Sequence, residues 1–228
     1  DTLNYWWQAH YLHAHVDAAT RLMRDGRVDE CADLLADGRA ILRGLRWRNG
    51  FRYTNSYYDD MAWLALAIRR MGAVLEAATG MTDRATELAL DRIHAQLMRA
   101  HTPELGGGLW WNTKRDFKNT PASAPAGLHF ALRGETEAAR SIATWLRTRL
   151  WDEESQLTLD GIRVGPDGAE VLEGGTYTYN QALTLGLALE LGEPDDLEWA
   201  GELIEGMANG LAFESPWGLA LRGHGNGD

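Results

Sequence analysis

Two aspartates, Asp59 and Asp60, stand side by side in "TNSYYDDMAWLALA", between an aromatic pair and an apolar run. Close carboxyl groups resist double ionisation, so one can keep its proton as an acid while the other stays ionised as a nucleophile. Consecutive Cα atoms are ~3.8 Å apart, and neighbouring side chains on a helix diverge by about 100°. The two carboxyl groups would then lie ~5–7 Å apart. That is nearer the ~5–5.5 Å of a retaining glycosidase pair than the ~6.5–9.5 Å of an inverting one. The competing reading is structural. Ser56 can serve as an N-cap with Asp59 three residues on, at the capping-box position, and acids in a first turn complement the helix dipole. The stretch alone leaves both open.

Three other stretches combine aromatic rings with amides. In "GGGLWWNTKRDFKN" the glycines permit tight turning, and Trp110 and Trp111 offer flat faces. Asn112, Lys114, Arg115, Asp116, Lys118 and Asn119 supply directional donors and acceptors there, which favours a binding loop. The phosphate-loop spacing G-x-x-x-x-G-K-[ST] is absent. In "GGTYTYNQAL", Tyr177, Tyr179, Asn180 and Gln181 sit at a loop-to-helix junction, as Tyr58 does in "SYYDD"; a plain helix start capped by Thr178 fits equally. "YWWQAHYLHAH" places Trp6, Trp7, Gln8 and His10 in a first helix. His13 follows His10 by three, but no H-E-x-x-H pattern or cysteine cluster accompanies them, so neither a metal nor another cofactor is expected.

The chain has 228 residues, 45% of them hydrophobic, enough to bury a sizeable core as one domain, or at most two. A formal charge of -11 makes nucleic acid and anionic membrane surfaces poor partners and is neutral toward sugars. Ten tryptophans are many for this length; they can fill a core, or line a cleft with the flat amphipathic rings that hold sugars. The single cysteine, Cys31, excludes an internal disulfide and falls on an apolar helix face. No apolar run reaches the ~18 residues of a membrane span. A soluble protein is expected, and a leader removed before Asp1 fits the abrupt opening; extracellular and cytoplasmic locations both remain open.

The elements that must position these residues are helical. Met61, Leu64, Ile68, Met71 and Leu75 recur at spacings of three and four, with Gly80 as a stop. Helices are expected over 2–24, 28–47, 57–79, 82–99 (capped by Thr82), 121–132, 135–151, 179–191 and 195–211. "QLTLDGIRVGPDGAEVLEGG" alternates about a "PDG" turn and predicts a hairpin. Short connections such as "RGE" and "GEPDD" make consecutive helices antiparallel. Long ornate loops alternate with these, which suggests a barrel or solenoid with one functional face.

Together "WWQAH", "YYDD" before an apolar helix, "GGGLWWNTKRDFKN" and "YTYNQ" resemble glycoside hydrolase family 76, the endo-α-1,6-mannanases, in order and spacing over nearly the whole chain. The resemblance implies an all-α (α/α)6 barrel and a retaining mechanism on α-1,6-linked mannose. Asp59 would be the nucleophile and Asp60 the acid/base. Trp7, Gln8, Tyr58, Trp110, Trp111, Asn112, Lys114, Arg115, Asp116, Tyr177, Tyr179, Asn180 and Gln181 would line the cleft against an α-mannan or mannose-containing oligosaccharide. Residues 1–228 would form one catalytic domain. Six hairpins need twelve helices and eight are read here, so the chain, ending in "GHGNGD", is expected to be short at its C-terminus. "KNTPASAPAGL" is a second departure, with prolines and small residues where a more polar helix start is expected. A mannosyl transglycosylase would use the same covalent intermediate with a different acceptor. A non-catalytic carbohydrate-binding helical protein would need the tryptophans but not both aspartates.

Overall fold

The structure, a computed structural model, describes residues 4–223. Its contacts divide the chain into two compact units, Asp1–Ala100 and His101–Asp228. The first holds helices α1 (Tyr5–Arg24), α2 (Val28–Arg48), α3 (Tyr58–Thr79) and α4 (Arg84–Ala100). Ala9, Leu12, Val16 and Ala19 form the buried stripe of α1, and Cys31, Leu35, Gly38, Leu42 and Leu45 that of α2. α3 is buried around most of its circumference in its first half, because Met61, Ala62 and the run Leu64 to Ile68 are apolar without a break. It packs on α1 and α4, and α1 packs on α2. Gly38 permits the closest approach. A Cβ there would stand 3.0 Å from Met71 Sδ and 3.3 Å from Leu12 Cδ1.

The helix limits follow the expected ones closely. α3 stops at Gly80, which takes the left-handed conformation (φ 69°) that glycine adopts without strain. α4 starts two residues later than expected, since Asp83 rather than Thr82 satisfies its first turn. Asp83 Oδ2 accepts from the Thr86 N–H at 3.2 Å, and the Thr86 hydroxyl donates to the Asp83 carbonyl at 2.6 Å. The expected start of α1 at residue 2 lies outside the described residues.

The second unit contains α5 (Thr120–Leu132), α6 (Thr136–Trp145), α7 (Thr178–Leu191) and α8 (Pro194–Gly206); α5 packs on α6 and α7, and α7 on α8. α5 is buried on nearly every side, from Thr120 through Gly127 and again at His129 and Phe130. Its small residues allow this: a Cβ on Gly127 would meet Leu187 Cδ2 at 2.8 Å and Ile142 Cγ2 at 3.1 Å. Asn119 caps it, its Oδ1 accepting from the Ala122 N–H at 3.2 Å, while Pro121 stands where no backbone donor is needed. α6 and α8 end earlier than the periodicity predicts. Each passes into a wider π-type turn, Leu146–Leu150 and Met207–Leu211, before a strand begins. Gly206 at the end of α8 lies against the Gln156 carbonyl, which a Cβ would meet at 2.2 Å.

Short strands connect these helices: β1 (Phe117–Asn119), β2 (Trp151–Asp152), β3 (Leu157–Thr158), β4 (Gly161–Val164), β5 (Glu170–Glu173), β6 (Ala212–Ser215) and β7 (Gly218–Leu221). The β4–β5 hairpin is the expected one, with Ile162 opposite Leu172. β1 adds to its other edge, giving an antiparallel sheet of order β1-β4-β5 with Lys118 opposite Ile162. β2 pairs with β3 and β6 with β7. The last hairpin takes up "AFESPWGLAL", for which no element is expected from the sequence; the end of "GHGNGD", 224–228, lies outside the described residues. Among the described residues, no helix is long and apolar enough to cross a membrane.

Candidate active site

Asp59 and Asp60 are the second and third residues of α3, both partly buried. The helix starts one residue later than a Ser56 cap would require. Tyr57 is the N-cap, and its side chain makes no capping hydrogen bond. Asn55 does the positioning instead. Its Oδ1 accepts from the Tyr57 N–H at 2.9 Å and its Nδ2 donates to Asp60 Oδ2 at 2.6 Å. Burial raises the Asp60 pKa from 3.8 to about 6, against the lowering pull of the Asn55 hydrogen bond. A carboxyl group of that kind is half protonated near pH 6, as a general acid requires.

Tyr58 is buried beside the pair. Tyr5, at the start of α1, is also buried, and its hydroxyl donates to the Tyr53 carbonyl. Its pKa is raised, first by burial and then by the Asp60 charge, which puts the phenol within electrostatic reach of that carboxylate. Tyr5 and Asn55 are the two residues of this region that the sequence reading passed over. Tyr5 reads as a core residue one position before "WWQ", whereas an asparagine two residues before a helix cap is a recognisable turn former. Trp7 and Gln8 follow on α1; Trp7 is 49% exposed, its ring edge-on to Trp6, and Gln8 is half-buried. Asn55→Ala is expected to move the Asp60 titration roughly one pH unit higher, since a hydrogen bond to the charged form is lost. Carbon-detected NMR titration of the Asp60 carboxyl checks this.

The second unit carries the tryptophan loop, and Lys118 fixes it. This lysine is fully buried on β1, and its Nζ donates to the carbonyls of Thr102 at 2.6 Å, Gly107 at 2.8 Å and Gly108 at 3.1 Å. The ammonium also stands 4.9 Å from the Trp110 ring centroid. Burial lowers its pKa from 10.5 to about 8, so at neutral pH it is still charged, with three N–H groups for three carbonyls. Leu105 takes a left-handed φ of 55°, and its carbonyl accepts from Trp145 Nε1 at 2.9 Å and Arg149 at 3.0 Å. Gly108 (φ 69°) lies against the Trp145 ring, which a Cβ would meet at 2.5 Å. Gly108→Ala therefore combines a strained φ with a clash and is expected to destabilise the fold by roughly 2 kcal/mol or more. Urea unfolding followed by tryptophan fluorescence measures it.

The expected binding residues of this loop divide by exposure. Trp110 is buried, and Trp111 is half-buried with its ring edge-on to Phe117 at 6.1 Å. Asn112 is buried, its Oδ1 accepting from the Lys114 N–H at 2.9 Å, which shapes the turn. Lys114 and Arg115 are exposed, Arg115 with φ 58°, and Asp116 is half-buried. Tyr177, the N-cap of α7, stacks on Tyr179 with centroids 5.3 Å apart. The helix starts at Thr178 itself, so this threonine is not the cap. Gln181 is buried, accepting from the Thr158 N–H at 2.7 Å and donating to the Thr158 carbonyl at 2.8 Å; its amide locks α7 to β3. Asn180, also buried, donates to Asp160 Oδ1 at 3.1 Å. Burial raises the Asp160 pKa, against the effect of that bond. Asp160 joins the aromatic pair through Asn180, and nothing in "TLDGIRV" distinguished it from a turn residue. Trp110 Nε1, Asp116 Oδ1 and Asn180 Oδ1 are buried without a hydrogen-bond partner among the described residues.

The family model for glycosyl hydrolase family 76 matches residues 1–210. The chain belongs to that family. Its helical hairpins are those of the all-α, (α/α)6 fold class of family 76. Among solved structures it is similar to the GH76A α-1,6-mannanase from Salegentibacter sp. HEL1_6, at 29% identity and a TM-score of 0.78, covering 91% of this chain and 61% of that one. An inactive variant of that enzyme, with two consecutive aspartates replaced, is in complex with α-1,6-mannotetrose; the match is 28% identical, with a TM-score of 0.82, over 99% of this chain and 66% of that one. The Lin0763 protein from Listeria innocua matches at 26% identity and a TM-score of 0.78, over 99% and 63% of the respective chains. The family 76 chain described here thus spans about three fifths to two thirds of the length of these structures. A search of curated proteins finds no match.

Proposed function

We propose that this family 76 chain supplies the catalytic pair of a retaining glycosidase that cleaves α-1,6-mannosidic linkages through a covalent glycosyl-enzyme, with residues 1–228 belonging to one catalytic domain. The observation that carries the reading is the pairing of Asp59 with an Asp60 raised to about 6 by burial. Asp59, in the first turn of α3, is favoured as a carboxylate by the helix dipole. It attacks the anomeric carbon as Asp60 gives its proton to the departing glycosidic oxygen. The resulting Asp60 carboxylate then takes a proton from water, whose oxygen attacks the same carbon and frees Asp59. The inactive double-aspartate variant of the Salegentibacter enzyme, holding an α-1,6-linked mannose oligomer, supports both the pair and the linkage.

The binding roles go to the aromatic and amide residues of the other motifs. Trp7, Trp111, Tyr177 and Tyr179 offer exposed or half-exposed ring surface. Lys114, Arg115 and Asp116 offer polar atoms, and Gln8 and Tyr58 are further proposed binding residues. Trp110, Asn112, Asn180 and Gln181 are buried, and orphaned buried polar atoms such as Trp110 Nε1 and Asn180 Oδ1 suit a hydroxyl-rich ligand. The test is the anomeric form of the first product, followed by proton NMR on a linear α-1,6-mannan. Retention gives the α-anomer first; the β-anomer would rule the covalent route out.

A further inference from the structure

A second site lies within the first unit. A groove of about 550 Å3 is lined by Arg46, Arg52, Tyr53, Thr54, Arg92 and Gln96, with Phe51 and Leu88 as its apolar wall and no carboxylate among its lining residues. Like several other arginines of the chain, Arg46, Arg52 and Arg92 have no carboxylate partner among the described residues; what distinguishes them is that all three line one groove. In a protein of net charge -11, three cations gathered around one concavity without a counter-charge repel one another, and an anion relieves that repulsion.

The wall of the groove is built rather than loose. Asn49 Nδ2 donates to the carbonyls of Arg52 at 3.0 Å and Thr54 at 3.1 Å. Arg46 Nε donates to the Phe51 carbonyl at 3.2 Å, and its guanidinium lies 5.7 Å from the Tyr53 ring centroid, leaving both terminal nitrogens unused by the protein. Phe51 holds a left-handed φ of 62° to place that carbonyl. The guanidinium fork matches the oxygens of a phosphate group, and three forks suit a doubly charged phosphomonoester better than a single carboxylate. Tyr53, Thr54 and Gln96 add neutral polar groups for hydroxyls, and Phe51 and Leu88 an apolar face for a sugar ring.

We infer that this groove binds a phosphate group carried on a sugar. Its sugar part rests on the glycosidase reading; its phosphate part does not.

Calorimetric titration of the full chain tests this with a mannose phosphomonoester, inorganic phosphate, glucuronate and mannose, in the wild type, in Arg52→Gln/Arg92→Gln and in Asp60→Asn. Expected is binding of the mannose phosphomonoester at least tenfold tighter than that of glucuronate or mannose, weakened about tenfold or more by the arginine pair and unchanged by Asp60→Asn. Both arginines are exposed, so the pair variant should melt as the wild type does. Inorganic phosphate binding as tightly as the sugar phosphate would overturn the sugar-borne part. Glucuronate binding as tightly, no binding at millimolar concentration, or binding that survives the arginine substitutions would overturn the site. Because the readout is binding, a protein that never cleaves mannan can still pass or fail it.

Discussion

Asp60→Asn is expected to lower turnover of an α-1,6-mannan by on the order of 10³–10⁴-fold and, at the same time, to raise the melting temperature at neutral pH. The two effects share one cause. Burial holds the Asp60 pKa at about 6 against 3.8. Between those values the folded protein keeps a proton that the unfolded chain has released, so the contribution of Asp60 to stability falls as pH rises from about 4 to about 6. Above pH 6 the ionised carboxyl costs the folded state its full amount, up to roughly 3 kcal/mol. The amide carries no charge and can still accept from Asn55, so the variant should gain stability at pH 7 and little at pH 4. Asp59→Asn should abolish turnover at least as completely, because no carboxylate remains to form the covalent bond. Substrates with acidic leaving groups should recover part of the loss in Asp60→Asn and none in Asp59→Asn. A lower melting temperature in both variants, with activity intact, would mean that the aspartates serve only the start of α3. For the wild type, turnover should decline as pH rises past about 6, when Asp60 loses the proton it must donate.

Lys118→Met is expected to destabilise the second unit by about 3 kcal/mol at pH 7. Three carbonyls, the part-buried one of Thr102 and the buried ones of Gly107 and Gly108, lose their donor together. Methionine fills similar volume, so the loss reports hydrogen bonding rather than a cavity. The sign of the pH dependence is distinctive. The folded pKa, about 8, lies below 10.5, so between these values the unfolded chain binds the extra proton and stability rises with pH. The gap between wild type and variant should therefore widen from pH 8 to pH 10 in urea unfolding. A variant within 1 kcal/mol of wild type at pH 7 would remove Lys118 as the anchor of the tryptophan loop.

The helices were legible because their apolar residues recur at helical spacing and their ends carry glycine, asparagine or acid signals. Gly80 stops α3 where expected, and "PDG" turns the β4–β5 hairpin. What escaped depended on partners distant in sequence. β1 is three residues long and polar in two of them, and it is a strand only because β4 lies beside it. The π-type ends of α6 and α8 reflect the strands that follow, not a change in periodicity. Asp59 and Asp60 stood out through their adjacency, and Trp110 and Trp111 through theirs. Tyr5, Asn55 and Asp160 did not, since each acquires its meaning from a single contact or charge that spacing does not encode. Lys118 was visible as a donor in the loop, but its burial and its three carbonyl partners exist only in the folded chain.

In the proposed mechanism Asp59 attacks the anomeric carbon while Asp60 moves the proton. Incubation of the protein with a fluorinated mannosyl fluoride, which forms the glycosyl-enzyme and releases it slowly, followed by peptide mass spectrometry, tests it most directly. A single mannosyl adduct on Asp59 is the predicted result. An adduct on Asp60 or elsewhere, or no adduct while an α-1,6-mannan is still cleaved, would contradict it.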